Sequence, residues 1–191
     1  METMKAIGNF GAGHVGGAMS MVEVLSVLYG EVMKYDPKNP KWNDRDWFIC
    51  SKGHSGPSLY AALAIKGFFP KEELATFRKL NTRLQGHPSR KLLPGVEQST
   101  GSLGQGLSSG IGMALAGRLD KKDYRVYVMM GDGEIQEGMV WEAVMAAGHY
   151  GLDNLCAFVD SNHLQIDGNV EEVMNPHPID DKFRAFNWHV I

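Results

Sequence analysis

An apolar run, Arg125–Met130 (RVYVMM), ends on Gly131-Asp132-Gly133, and a second, Asn154–Val159 (NLCAFV), ends on Asp160-Ser161-Asn162. Between them, Met139–Tyr150 (MVWEAVMAAGHY) has the length of a helix and is apolar on nearly every side, so both its faces are expected to be buried. Strand, crossover helix and strand make a βαβ unit, whose strands are parallel and whose connection is right-handed. The carboxyl ends of the two strands then lie side by side, where open α/β sheets take their ligands. Asp132 and Asn162, far apart in the chain, are thereby expected on one rim.

The flanking segments extend this pattern. Trp47–Cys50 (WFIC) reads as a short buried strand, and residues 18–34 space their apolar positions (Met21, Val24, Leu25, Leu28, Val32) as a helix does. Residues 57–67 read as another helix, and Pro70 suits the head of a helix over KEELATFRKL. Leu103–Leu119 reads as a glycine-rich helix lying tightly on a neighbour, and Asp180–Phe186 as a short one. Residues 81–100, with Pro88 and Pro94 and no clear period, read as a long loop of the kind that often carries function. Trp188–Ile191 reads as the start of a strand that the chain does not complete. Strands alternating with helices predict an α/β fold, a parallel sheet with helices on both faces.

Composition narrows the function. A chain of 191 residues suits one domain, since single domains commonly run to roughly 100–200 residues. The formal net charge of −3, without a basic arm, argues against nucleic-acid binding. The N-terminus lacks the apolar core of a secretory signal, and no apolar run is read as long enough to cross a bilayer, so no membrane partner and a cytoplasmic setting are expected. The only cysteines, Cys50 and Cys156, fall in strand-like runs and read as buried thiols in a reducing compartment. The glycines cluster at Gly8–Gly17, Gly101–Gly117 and Gly131–Gly138, as anion-cradling loops do, though mobile turns would show the same clustering.

The chemistry is concentrated at the strand ends. Asp132 offers a hard anionic oxygen and Asn162 a neutral amide oxygen, a pair that Mg2+ or Ca2+ would accept, with phosphate oxygens completing the shell. Gly131 and Gly133 leave room for a diphosphate near the backbone N–H groups that open the next helix. A Gly-Asp-Gly string alone is also a common turn; the strand before it, the helix after it and the second strand ending in Asp-Ser-Asn are what change its meaning.

That combination resembles the thiamine diphosphate fingerprint, and further strings point to one family. GDGEIQEG (Gly131–Gly138), NHLQIDG (Asn162–Gly168), STGSLGQG (Ser99–Gly106), SKGH (Ser51–His54), QGHP (Gln85–Pro88) and GHVGG (Gly13–Gly17) look like transketolase, in the family's order along nearly the whole chain. The resemblance implies a thiamine diphosphate-binding (diphosphate-domain) fold over residues 1–191. It implies that Asp132 and Asn162 bind Mg2+ (or Ca2+ or Mn2+) by side chain and Leu164 by its carbonyl. It implies that Gly133 and His54 contact the diphosphate, that Gly101 and Leu103 lie near the aminopyrimidine, that Ile166 packs on the cofactor, and that Ser102, Gly131 and Glu134 also belong to the cofactor-binding set. His14, His54 and His87 are implied to face the reacting sugar carbons, and Glu137 to sit at a subunit contact in the glutamate network that supports cofactor activation. As a residue, Glu137 reads equally as a first-turn acid favoured by the helix dipole.

The sequence departs from the family at Val15, where proline is usual after the histidine, and at His163, beside the metal-binding asparagine. His163 reads either as an extra contact or as solvent-facing, and His149 reads as a cap of its helix. The family's pyrimidine and C-terminal domains have no counterpart in these residues. The expectation is therefore the N-terminal subunit of a split transketolase, transferring two-carbon ketol units between sugar phosphates. It would need a C-terminal subunit carrying the pyrimidine domain, would be inactive alone, and would self-associate on the cofactor side. The alternatives are a deoxyxylulose-phosphate synthase-like or ketoacid dehydrogenase-like subunit, or a degenerate scaffold.

Overall fold

A computed structural model of the chain describes residues 1–166 and 168–191. In chain order the elements are α1 (Glu2–Phe10), α2 (Val15–Met19), α3 (Val22–Val27), a wide π turn (Leu28–Val32) and β1 (Trp47–Cys50). After a 3-10 turn (Gly53–Ser55) come α4 (Gly56–Ile65), another 3-10 turn (Lys71–Thr76), α5 (Gln105–Leu119) and β2 (Val126–Gly131). A third 3-10 turn (Glu134–Gln136) leads to α6 (Gly138–Tyr150), β3 (Leu155–Asp160), a small hairpin of β4 (Leu164–Gln165) and β5 (Gly168–Asn169), α7 (Val170–Met174) and α8 (Ile179–Ala185).

The main sheet runs β1-β2-β3 and is parallel throughout. Successive strand side chains point to opposite faces, and the two faces carry separate cores. Phe48, Cys50, Tyr127 and Met129 join Met21, Leu25, Leu59 and Leu63 on one side. Ile49, Val126, Val128 and Met130 join Leu107, Ile111, Val140 and Val144 on the other. This is the expected α/β architecture, with α1–α4 covering one face and α5 and α6 the other. The tight seat of α5 is also as expected: a Cβ on Gly110 would come within 2.7 Å of Val128 on β2.

Several elements differ from the sequence reading. The segment 18–34 is not one helix. It breaks at Ser20-Met21, where the Ser20 hydroxyl is drawn to Asp160, and then widens to a π turn closed by Met33 N–H on the Leu28 carbonyl (2.8 Å). Its 18-residue window Val15–Val32, with a mean hydropathy of 1.3, does reach the length and apolarity of a membrane span, contrary to expectation. Yet the window consists of these short pieces, and its Ala18, Met21, Leu25, Leu28 and Tyr29 are core residues. The helix expected from Pro70 is only a 3-10 turn, because Phe77 leaves helical geometry (ψ 127°) to bury itself with Leu74. Tertiary burial overrides propensity there.

Helix α1 was not foreseen, although Thr3, Ala6, Ile7 and Phe10 have helical spacing; Thr3, Ala6 and Ile7 are buried and Phe10 meets Phe77 edge-on. Helix α6 buries Val140, Ala143, Val144 and Ala147, but Met145 and Tyr150 are exposed, so only one of its faces is covered in this chain. His149 does not cap it. Gly151 ends it in left-handed geometry, and Arg118 donates to the Tyr150 carbonyl (2.6 Å) and to that of Gly151. Cys50 is buried as read, whereas Cys156 is exposed, because β3 has no strand on its outer edge among the described residues. Residues 188–191 form no strand; Trp188 instead packs on Phe183 and donates its indole N–H to the Val144 carbonyl on α6 (2.9 Å).

The long loop 81–100 holds no helix or strand, as read. It is nevertheless fixed, since Leu84, Leu93 and Val96 are core residues and buried Glu97 takes a forked pair of bonds from Arg45 (2.7 and 2.5 Å). This anchoring brings His87 toward the strand ends.

Candidate functional site

Strand pairing decides the site. Gly131 and Asp160 are in register across β2 and β3, so the residues that follow each strand emerge on the same rim. Asp132 is 1% exposed. Its Oδ1 accepts from Gly133 N–H (2.9 Å) and its Oδ2 from His163 N–H (2.7 Å), the residue next to Asn162. Asn162 Oδ1 accepts from Leu164 N–H (3.0 Å), and its Nδ2 donates to Asp160 (3.2 Å). Asp132 thus bonds the backbone of the residue next to Asn162, which sets both residues on the same rim. A carboxylate oxygen or an amide oxygen that accepts one hydrogen bond keeps a lone pair. Hard, partly free oxygens on one rim are the donor set for Mg2+ or Ca2+ rather than for a soft metal.

The rim opens onto a cleft of about 500 Å³. Of the sequence-named residues, its walls include His14, His54, Leu103, Gly131, Asp132, Gly133, Glu134, Glu137, Asn162, Leu164 and Ile166. Ile166 is 87% exposed at the mouth, an apolar side chain with no cover from its own chain. Gly101 lies one layer behind. A Cβ on Gly53 would come within 2.7 Å of the Gly101 nitrogen, and one on Gly101 within 3.1 Å of the His87 ring. The glycine-rich segment therefore passes between the SKGH loop and His87, which only bare backbone permits. His87 and Ser102 are exposed and stand outside the cleft wall, with Ser102 Oγ accepting from Gln105 (2.8 Å).

His14 and His54 meet with ring centres 5.0 Å apart. Burial, and then the neighbouring His14, Lys52 and His87, push His54 down to about 4, against the pull of Asp160. His87, though largely exposed, is lowered as well, by its partial burial first and then by Arg78 and His14. Both rings are thereby biased to the neutral form, able to donate at one nitrogen and accept at the other. Glu134 is buried with its carboxylate turned to Ser51 Oγ and to the N–H groups of Gly104 (2.9 Å) and Gly131 (3.1 Å). It ties the end of β1, the head of α5 and the end of β2 together. Burial raises its pKa, while those hydrogen bonds and Lys52 oppose the rise.

Glu137 is exposed at the head of α6, and its side chain abuts Gly104, whose left-handed φ of 84° and missing Cβ make room for it. His163 is solvent-facing as one of its two readings had it, but it bonds Glu171 (2.6 Å), which raises its pKa.

Sequence reasoning missed a buried ionic hub. Lys52, 1% exposed in its side chain, pairs with Asp160 and donates to the Gly17 carbonyl (2.7 Å) and Ser20 Oγ (3.3 Å). One ammonium thus joins the end of β1, the end of β3 and the segment around α2. The signal was a lysine two residues past the end of an apolar strand, at the ligand end of the sheet. Gln136 was also missed; it bridges Gln165 (2.7 Å) and the Met174 carbonyl (2.8 Å), holding the hairpin over the cleft.

Comparison with known proteins agrees with this geometry. The family profile described as "Transketolase, thiamine diphosphate binding domain" matches residues 1–191. The chain is 50% identical over 188 residues to SqwG, a subunit of the 6-deoxy-6-sulfo-D-fructose transketolase of Clostridium sp. (strain MSTE9), covering 98% of this chain and 68% of that one. It is 48% identical to a subunit of the apulose-4-phosphate transketolase of Phocaeicola vulgatus, covering 94% of this chain and 64% of that one. Among solved structures, the transketolase of Leishmania mexicana superposes with a TM-score of 0.93 at 36% identity, over 99% of this chain and 30% of that chain. The chain therefore spans about two thirds of the subunit-type relatives and under a third of that transketolase, and it belongs to the transketolase family through its thiamine diphosphate-binding domain.

Proposed function

We propose that this chain is the diphosphate-binding subunit of a two-polypeptide transketolase, holding Mg2+ and thiamine diphosphate for ketol transfer between sugar phosphates. The observation that carries the reading is the junction of Asp132 and Asn162 through the His163 N–H, which gathers hard oxygen donors at the strand ends of a family whose domain binds this cofactor.

In this reading Asp132, Asn162 and the Leu164 carbonyl hold the cation, with Ca2+ or Mn2+ able to replace Mg2+. Gly131, Gly133 and His54 border the diphosphate, Gly101 to Leu103 the aminopyrimidine, and exposed Ile166 packs on the ring system. Thiamine diphosphate supplies the electron sink on which a two-carbon unit is carried. The protein's part is to fix that group, exclude water and move protons. Neutral His54 and His87, with His14, donate and accept hydrogen bonds at the sugar oxygens. Exposed Glu137 and the uncovered face of α6 suit burial at a subunit contact. Two relatives bear the name of a transketolase subunit, which supports a partner polypeptide that brings the pyrimidine domain and without which the chain is inactive.

Ketol transfer is to be assayed with the chain alone and with the candidate partner, and cofactor binding followed by calorimetry on the complex. Transfer is expected only with the partner, and Asp132→Ala should abolish cation-dependent binding. Full activity of the lone chain, or unchanged affinity in Asp132→Ala, would refute the reading. The two relatives' names specify a sulfo-sugar and apulose-4-phosphate, so the donor panel should include both beside common ketose phosphates.

A further inference from the structure

Beside the cofactor cleft, three side chains that the proposed reaction does not use bring nitrogen and oxygen donors together. His163 comes from the loop after β3, Glu171 from the first turn of α7 and His177 from the loop before α8. His163 Nδ1 lies 2.6 Å from Glu171 Oε1, and His177 Nε2 lies 3.3 Å from the same oxygen. All the donor atoms fall within 4.8 Å of one another, and the two imidazoles lie nearly parallel, 5.7 Å apart at 17°.

We propose that His163, Glu171 and His177 form a second metal site, selective for a borderline divalent ion of the zinc type and separate from the cation site of Asp132 and Asn162. Two imidazoles and one carboxylate are a three-ligand zinc set, and water would take the fourth position. Ligand atoms about 2.0–2.2 Å from an ion stand roughly 3.3–3.5 Å apart at tetrahedral angles. The present spacings need only small rotations of side chains that reach solvent. Magnesium, which prefers oxygen donors and holds its water, is disfavoured here, so the two sites select different ions by donor chemistry.

The site has a mechanical consequence. His163 is the residue between Asn162 and Leu164, and its N–H holds Asp132. A metal bridging it to α7 and to the segment before α8 staples the loop that carries the proposed Mg2+ donors.

Zinc binding is to be measured by calorimetry, and the ligand field by Co2+ absorption, on the full chain in excess Mg2+. One zinc ion is expected, with tetrahedral cobalt bands. His163→Ala, His177→Ala and Glu171→Gln should each weaken binding by about tenfold or more, since even groups that only support a ligand are worth that much. Rising Mg2+ should not displace the zinc, and zinc should raise the thermal midpoint of the wild-type chain but not of His177→Ala. The proposal is overturned if no zinc binds, if His177→Ala binds as well as wild type, or if rising Mg2+ competes the zinc away. The last outcome would place zinc in the other cation site.

Discussion

Replacing Lys52 with methionine tests whether the strand ends are held by a buried charge pair or merely by packing. Methionine keeps most of the stem volume and removes the ammonium. The Lys52 side chain is 1% exposed and that of Asp160 9%, so the substitution leaves a nearly buried carboxylate without its cation. Orphaning a buried charge costs about 3–5 kcal/mol. Asp160 keeps Ser20 Oγ and Asn162 Nδ2 as donors, and the Gly17 carbonyl keeps Ser55 Oγ (2.8 Å), which places the expected loss near the bottom of that range. At a few degrees per kcal/mol for a chain of this size, the thermal midpoint should fall by about 6–12 °C.

Adding Asp160→Asn removes the stranded charge while retaining hydrogen-bonding groups, and should recover about 1–2 kcal/mol. Urea unfolding of the wild type, both single variants and the double variant closes the cycle. The coupling should persist at high salt, because buried pairs are little screened. The exposed pair Lys122–Asp44 should show no such coupling. A loss below about 1 kcal/mol for Lys52→Met, or additive single effects, would refute the hub.

Gly53→Ala forces a methyl within 2.7 Å of the Gly101 nitrogen and 2.8 Å of the Thr100 carbonyl carbon, both backbone. It should cost about 1–3 kcal/mol in urea unfolding and loosen cofactor binding by parting two walls of the cleft. His54 is pushed down to about 4 in the folded chain against an unfolded value of about 6.5, so its neutral form stabilises the fold fully above about pH 6.5 and that part is lost as pH falls toward 4. His54→Gln should therefore lose less stability between pH 7 and pH 5 than the wild type, and equal losses would contradict the burial argument. Leu63→Ala, at a fully buried position of α4, should cost about 2–5 kcal/mol by the same denaturation assay.

The legible parts of this chain are those in which local pattern and tertiary demand agree. Arg125–Met130, Asn154–Val159 and Trp47–Cys50 are apolar because both faces of a parallel sheet are covered, so their strand character and their common rim could be read directly. The placement of Asp132 and Asn162 on one rim followed from the parallel pairing of the two strands they follow. What could not be read depends on distant partners. The break at Ser20 exists because its hydroxyl serves Asp160, far along the chain. The collapse of KEELATFRKL to a single turn exists because Phe77 has a core site to fill.

Helix α6 shows the reverse case. Its sequence asks for burial on all sides, yet Met145 and Tyr150 stand exposed. Met145 and Tyr150 share the open face with Glu142 and His149, and in the proposed assembly that face is covered only on association. Glu137 heads that helix at the cleft mouth, so the surface and the proposed active-site contact would be buried by the same event. Charge placed on that face by Met145→Lys should leave the isolated chain folded and disrupt association, read by sedimentation of the complex. Intact association would locate the contact elsewhere.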